Sequence, residues 1–352
     1  MEKLKAAIIG VGDISMLHRP GYVDNPDAEL AAICDLDEKL LAQRSRQWNV
    51  PKATTDYKEI LSDPEISIVE VITPHDLHRP ITVEAAAAGK HVSVQKPMSV
   101  SVGDAEAMIR AAEEAKVKLR IYENFVFYPP YVKAKELLDA GEIGEPLLIR
   151  LKLGSGLFGS RFYPMKVELW HLIESEHGRG QAVFDDGYHK WSMAAHLIGE
   201  IEAVRGWIDR SFHYIDSPAM LGFRYKDSPC LGVFDISWNP LLTIRSKYFP
   251  ADERIEIVGS AGRIVLTCCT GQLLDESPLI LIKNNRRTLF DDLETDWQAS
   301  FTAATRHFSA CVRHGGDPVL SGERGKHLVQ TAYAAALASK LGTEVRPDEV
   351  AI

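Results

Sequence analysis

Three features are scarce in this chain. It has no run of about 18 apolar residues, so no stretch reads as a membrane-spanning helix. The apolar stretch Ala6 to Val11 is too short for a secretion signal and leads straight into a glycine motif. Cysteine is sparse and odd in number: Cys34, Cys230, Cys268, Cys269 and Cys311, with no C-x-x-C. That pattern excludes a disulfide framework and a zinc site, and it fits a reducing, cytoplasmic setting. The vicinal pair Cys268-Cys269 ends an apolar run and reads as strand packing. Positive charge is also in deficit. Lys and Arg number 40 against 49 Asp and Glu, a net charge of -9 with no basic cluster. Neither a nucleic-acid backbone nor an anionic membrane is expected as the main partner.

What is present is ordinary globular composition, 45% hydrophobic and 25% charged over 352 residues, enough for two domains. Leu4 to Ile9 reads as a short buried strand, and Gly10-Val11-Gly12-Asp13-Ile14-Ser15 follows at once. This is G-x-G-x-x-S, a dinucleotide fingerprint with serine in the third position. Gly10 permits the strand-to-helix turn, Gly12 lets backbone approach a pyrophosphate, and the third residue must be small for helix packing. The helix start then offers free N–H groups to phosphate. A second strand, Glu29 to Cys34, is closed by Asp35, 20 positions after Ser15. A carboxylate there accepts from both ribose hydroxyls and repels a 2′-phosphate, which favours NAD over NADP. The alternative for Asp35 is a cap on the helix 38–48. Pro20-Gly21 should shorten or kink the first helix.

Strands and helices then alternate. Ser67 to Thr73 and His91 to Gln95 read as strands, Pro80 to Gly89 and Ser101 to Lys116 as helices, and Lys118 to Glu123 as the last strand. The expectation is a doubly wound parallel sheet over residues 1–124, an α/β Rossmann domain. The strand His91 to Gln95 delivers Lys96 and Pro97 to its carboxyl end, where ligands bind in open α/β sheets. A lone lysine there is otherwise a snorkelling surface residue. The loop Thr73-Pro74-His75 to His78 ends the preceding strand and should meet Lys96 at the nicotinamide end.

These motifs together resemble the Gfo/Idh/MocA oxidoreductases, relatives of glucose–fructose oxidoreductase and inositol dehydrogenase. The resemblance rests on the glycine motif, the Asp-ended second strand, T-P-x-x-x-H (Thr73, Pro74, His78), [EQ]-K-P (Gln95, Lys96, Pro97) and D-x-G-x-H (Asp185, Gly187, His189). It runs nearly end to end. It implies catalytic roles for Lys96, His189 and Asp185. The cofactor falls to Gly10, Gly12, Asp13, Ile14, Asp35, Thr73, Pro74, His75, His78, Gln95, Lys96 and Asn124. It also implies dimers or tetramers through a C-terminal sheet. Three positions depart from the pattern: the usual glutamate is Gln95, a common aspartate is Ser192, and an arginine after the last strand is replaced by Phe125-Val126-Phe127. The apolar wall argues against a carboxylate or phosphate held at that spot.

Residues 125–352 read as an α+β substrate and oligomerisation domain, whose last helices are expected to pack back on the first domain. Strand-like runs include Pro146 to Leu153, Ala203 to Phe212, Ala219 to Tyr225, Cys230 to Ser237, Arg254 to Val258 and Arg263 to Thr267, so a large, mostly antiparallel sheet is expected. Asp185 and His189 are four apart on one helical face, so the carboxylate can orient the imidazole. The alternative is a capped helix start with a packed histidine. No third ligand has matching spacing, so no metal is expected. Gly154 to Gly180, with Arg161, Tyr163, Trp170, His171 and His177, is irregular. Its aromatics could stack on a sugar ring or anchor a surface loop; Tyr163 and Trp170 are the substrate candidates, together with Lys96, Asp185 and His189. The chemistry implied is hydride transfer between NAD and a sugar, glycoside or polyol alcohol, with His189 or Lys96 as base. A redox-neutral cycle with retained NAD and a non-catalytic sensor remain the rivals.

Overall fold

The computed structural model describes residues 2–155, 179, 181–209, 216–239, 241–267, 269–272 and 274–351. Arg161, Tyr163, Trp170, His171, His177 and Cys268 lie outside the described residues. The chain forms two compact units, residues 1–124 with 300–329, and 125–299 with 330–351.

The first unit is built on a six-stranded parallel sheet. Its strands are β1 (Leu4–Ile9), β2 (Ala28–Cys34), β3 (Lys52–Thr54), β4 (Ile66–Val71), β5 (His91–Gln95) and β6 (Leu119–Tyr122). Their order is β3-β2-β1-β4-β5-β6, with every neighbouring pair parallel. The order reverses direction between β1 and β4, the switch point at which such sheets bind ligands. Apolar strands buried on both faces make this arrangement, and Ala6, Ile8, Ile33, Ile68, Trp48 and Phe308 share one core. The helix Glu38–Trp48 begins at Asp37, whose side chain accepts from Lys39 N–H and Leu40 N–H. It ends at Asn49 in the left-handed region, φ +55°. β3 was not legible because three residues carry almost no pattern.

The second unit holds an eight-stranded sheet, with strands β7 (Pro146–Ser155), β8 (Ile201–Ile208), β9 (Ala219–Tyr225) and β10 (Leu231–Trp238), then β12 (Ala251–Gly259), β13 (Gly262–Leu266), β15 (Leu279–Lys283) and β16 (Arg286–Leu289). A small ribbon pairs β11 (Arg245–Ser246) with β14 (Gly271–Gln272). The order is β16-β15-β13-β12-β7-β10-β9-β8, antiparallel except for the parallel pair β10–β7. β8 ends at Ile208, earlier than the expected Phe212. The β15–β16 hairpin turns on Asn284 and Asn285, φ +53° and +57°, the conformation of a tight hairpin turn. Asn-Asn between the strands Leu279–Lys283 and Arg286–Leu289 was the overlooked signal. No helix among the described residues is long and apolar enough to cross a membrane.

Candidate active site

In the first unit the chemistry gathers on the carboxyl-terminal edge of the sheet. Asp35 follows β2, Gly10 follows β1, Thr73 lies beyond β4, Lys96 follows β5 and Asn124 lies beyond β6. Neighbouring strands sit about 4.8 Å apart, so roughly 14 Å of edge separates the strand of Asp35 from that of Lys96.

Gly10 has φ +95°, and a Cβ there would stand 2.2 Å from Ile72 O. No other residue fits. Gly12 is different, because a Cβ on it meets nothing within 4 Å. Packing does not demand glycine at position 12, but a ligand's close approach does, so the loop fits a dinucleotide. Ile14 is partly buried and packs against the core. Ser15 is fully buried and donates to Gly12 O at 2.5 Å. Asp35 accepts from Val11 N–H at 2.8 Å and Asp37 N–H at 2.9 Å. Asp35 therefore steadies the glycine loop, and Asp37 is the helix cap that Asp35 was an alternative for. Each Asp35 oxygen retains lone-pair capacity for a ribose hydroxyl. Arg44, missed in the sequence, is buried beneath the loop, donates to Val11 O and stands 3.8 Å from Asp13.

The first helix is only four residues, Ser15–His18, and passes into a 3₁₀ turn, Arg19–Tyr22. Pro20-Gly21 breaks it as expected. The break has a purpose in packing: a Cβ on Gly21 would lie 2.3 Å from Thr305, and Tyr22 is carried inward to donate to Glu70 at 3.1 Å.

His78 lies wholly inside. Its ring spans Pro97 O at 3.0 Å and Thr73 O at 2.9 Å, tying the loop after β4 to the loop after β5. Burial, then His75, lowers its pKa to about 3, so the ring is neutral and donates to only one of these carbonyls. His78 fixes loop geometry from within. Thr73 Oγ1 is buried with no hydrogen-bond partner among the described residues. Pro74 is exposed and His75 buried. Lys96 is half-buried, and the Lys96–Pro97 peptide is cis. Asn124 is buried and donates to Ser300 Oγ at 2.9 Å.

One polar layer escaped the sequence reading. Glu70, Ser93 and Arg120 are lateral neighbours on β4, β5 and β6, and all three are buried. Arg120 donates to Ser93 Oγ at 2.9 Å and approaches Glu70 at 3.5 Å. His18 Nδ1 lies 3.2 Å from Glu70 Oε1, close in distance but not well directed as a hydrogen bond. The His18 ring rests on Tyr122, centroids 3.9 Å apart, and its Nε2 faces Gln95 Nε2 at 2.8 Å. Gln95 Oε1 accepts from Lys96 N–H at 2.8 Å. Burial raises the Glu70 carboxyl, but His18, Arg120 and the Tyr22 hydroxyl outweigh it and hold the group below its ordinary value. A glutamate inside the buried run of β4 was the available signal.

In the second unit, a π-helical turn, Gln181–Asp185, opens into the helix Asp186–Leu197. Such turns recur at functional sites. Asp185 stands at the N-cap position of that helix but makes no side-chain cap hydrogen bond. Asp185 and His189 are both buried one turn apart. The His189 ring packs on Phe125 at 4.3 Å. Lys190, the next residue, is fully buried, and its ammonium lies 4.7 Å from the same Phe125 ring. Lys190 pairs with Glu253 of β12, which also accepts from Thr270 N–H and Oγ1. His196 instead contacts Tyr131 Oη through Nδ1 at 3.0 Å, a core role. Among the described residues, no group of three or more His, Cys, Asp or Glu could hold a metal ion.

Residues 4–123 match the family model of the GFO/IDH/MocA oxidoreductases with an NAD-binding Rossmann fold. Residues 131–265 match the GFO/IDH/MocA C-terminal domain. The chain is 26% identical over 354 residues to scyllo-inositol 2-dehydrogenase (NAD(+)) of Bacillus subtilis (strain 168), covering 98% of this chain and 97% of that protein. It is 29% identical over 359 residues to myo-inositol 2-dehydrogenase of Thermotoga maritima, covering 99% of each. A levoglucosan dehydrogenase in complex with NADH shares the fold, with TM-score 0.84 at 20% identity over 99% of this chain and 100% of that one.

Proposed function

Because the chain belongs to the Gfo/Idh/MocA oxidoreductases, we propose that it is an NAD-dependent dehydrogenase oxidising a secondary hydroxyl of a sugar, glycoside or polyol. The observation that carries this is the placement of Lys96 on the same sheet edge as the glycine loop and Asp35, beside loops clamped by His78. The Bacillus subtilis and Thermotoga maritima relatives are named as inositol 2-dehydrogenases, which supports a polyhydroxylated substrate.

NAD, when bound, accepts the hydride from the carbinol carbon. The chain's part is orientation and proton handling. Lys96 hydrogen-bonds the reacting oxygen and stabilises the negative charge that grows on it. His189 takes the hydroxyl proton as general base, and Asp185 orients the imidazole. Phe125, packed on His189, fixes the ring from one face. These roles for Lys96, Asp185 and His189 follow the family pattern. Asp35 selects NAD over NADP through its carboxylate.

We also propose that the protein self-associates through the outward face of the eight-stranded sheet. Trp207 and Met220 are cross-strand neighbours there and are 67% and 53% exposed. A large aromatic left in water on a sheet face favours burial by a partner.

The test is a panel of inositols, sugars, glycosides and polyols with NAD and with NADP, followed by absorbance of the reduced cofactor. Reduction of NAD by at least one polyhydroxylated alcohol is expected. Failure across the panel, with NAD binding intact, would sink the reading.

A further inference from the structure

The buried layer between β4 and β6 contains more than packing. Gln95 has one carbonyl and one amide nitrogen. Its carbonyl must face the Lys96 N–H, because the amide nitrogen there would set donor against donor. The Gln95 nitrogen is thereby committed to His18 Nε2 at 2.8 Å. An N–H donor facing that ring nitrogen requires a lone pair on it. The one ring proton of His18 then sits on Nδ1, whose charged neighbour is the Glu70 carboxylate, 3.2 Å away and off the best hydrogen-bond direction. The layer is charge-balanced in this state, with Glu70 negative, Arg120 positive and His18 neutral.

We infer that Gln95 holds His18 as the neutral Nδ1–H tautomer, and that the chain Glu70–His18–Gln95 is a positioning device for the main chain of Lys96. His18 and Gln95 are positioning residues in this scheme. The inference rests on the reading of Lys96 as the group at the reacting hydroxyl. It explains why glutamine stands in the E-K-P position. A glutamate would still accept from Lys96 N–H, but its second oxygen would face Nε2. The ring would then need a second proton to avoid lone pair against lone pair. The buried layer would carry an imidazolium between two carboxylates.

The groups that face His18 are few. Glu70 comes from β4, Gln95 from β5 and Tyr122 from β6, and Phe301 adds an apolar ring from the helix Trp297–His314; Arg120 and Tyr22 meet the Glu70 carboxylate. Burial, with Glu70 adding to it, raises Tyr22 and Tyr122 far above the ordinary phenol value, so neither ionises in the working range.

The experiment is ¹⁵N NMR of the full chain labelled in histidine, with the His18 signals assigned by their loss in His18→Gln. At about pH 7.5 the expected pattern is a protonated Nδ1 and an unprotonated Nε2. Gln95→Glu is expected to convert His18 to the doubly protonated form. A doubly protonated His18 in the parent protein, or a Gln95→Glu variant with unchanged signals, overturns the inference. The parent spectrum decides the charge state even if the variant does not fold. Kinetics address the positioning role. In Gln95→Leu, kcat is expected to fall about tenfold or more while KM for the alcohol changes less than about twofold. A parent-like kcat in folded Gln95→Leu overturns that part. The tautomer is read without turnover, so a protein with the expected His18 signals and no activity on any alcohol would count against the dehydrogenase reading alone.

Discussion

The Lys190 ammonium and the Glu253 carboxylate meet in the interior of the second unit, both almost fully screened from water. Lys190 stands one residue from His189, so this pair braces the helix that carries the proposed base. Lys190→Met leaves a buried carboxylate uncompensated and is expected to destabilise the fold by about 3–5 kcal/mol. The double change Lys190→Met/Glu253→Met removes both charges and should recover most of that loss. Urea denaturation of the single and double variants reads the difference. A single variant as stable as the parent would show that the pair is dispensable.

Lys96→Met should lower kcat by at least about 100-fold while NAD affinity stays near that of the parent protein. Turnover is followed by cofactor absorbance and binding by calorimetry. Loss of NAD binding in a folded variant would assign Lys96 a structural part instead.

Asp35→Asn keeps an acceptor for Val11 N–H or Asp37 N–H but removes the charge that repels a 2′-phosphate. The ratio of kcat/KM for NADP over NAD is expected to rise about tenfold. An unchanged ratio would take cofactor choice away from this carboxylate.

His78 makes the fold sensitive to acid. Its pKa is about 3 in the folded chain against an ordinary 6.5, so below about pH 6.5 the unfolded chain binds a proton that the folded chain refuses. Stability from this group is complete above pH 6.5 and is lost as pH falls toward 3, with a slope of up to about 1.4 kcal/mol per pH unit. Urea midpoints measured between pH 6.5 and 4.5 should fall less steeply in His78→Gln than in the parent. Parallel slopes would contradict the assignment.

Trp207→Glu places a charge on the exposed sheet face beside Met220. If that face self-associates, light scattering should show a smaller particle than the parent protein. An unchanged mass would exclude Trp207 from any interface.

Much of the parallel sheet was legible because strands such as Leu4–Ile9 and His91–Gln95 are short apolar runs bounded by glycine, proline or charge. The glycine loop, Asp35 and Lys96 were legible for the same reason, since each sits where such a run stops. Glu70, Arg120 and His18 were not. Each is a polar residue whose partner lies on another strand or turn, so only the register of β4, β5 and β6 brings them together. Glu253 was hidden in the same way. It occupies the inward-facing side of β12, where alternation predicts an apolar residue. Its explanation, Lys190, lies 63 residues earlier in the chain.

The unit that carries the glycine loop is finished by residues 300–329. Tyr122 donates to Phe301 O, Asn124 to Ser300, and Arg120 to Ala304 O. A ribosome that has just released residue 124 has therefore not yet supplied these hydrogen-bond partners of Tyr122 and Asn124, nor the carbonyl that Arg120 adds to Ser93 and Glu70. Assembly of the nucleotide-binding half must wait until nearly the whole message has been translated. A fragment cut at residue 124 would leave the Tyr122 hydroxyl and the Asn124 amide without these partners and should be recovered as aggregate.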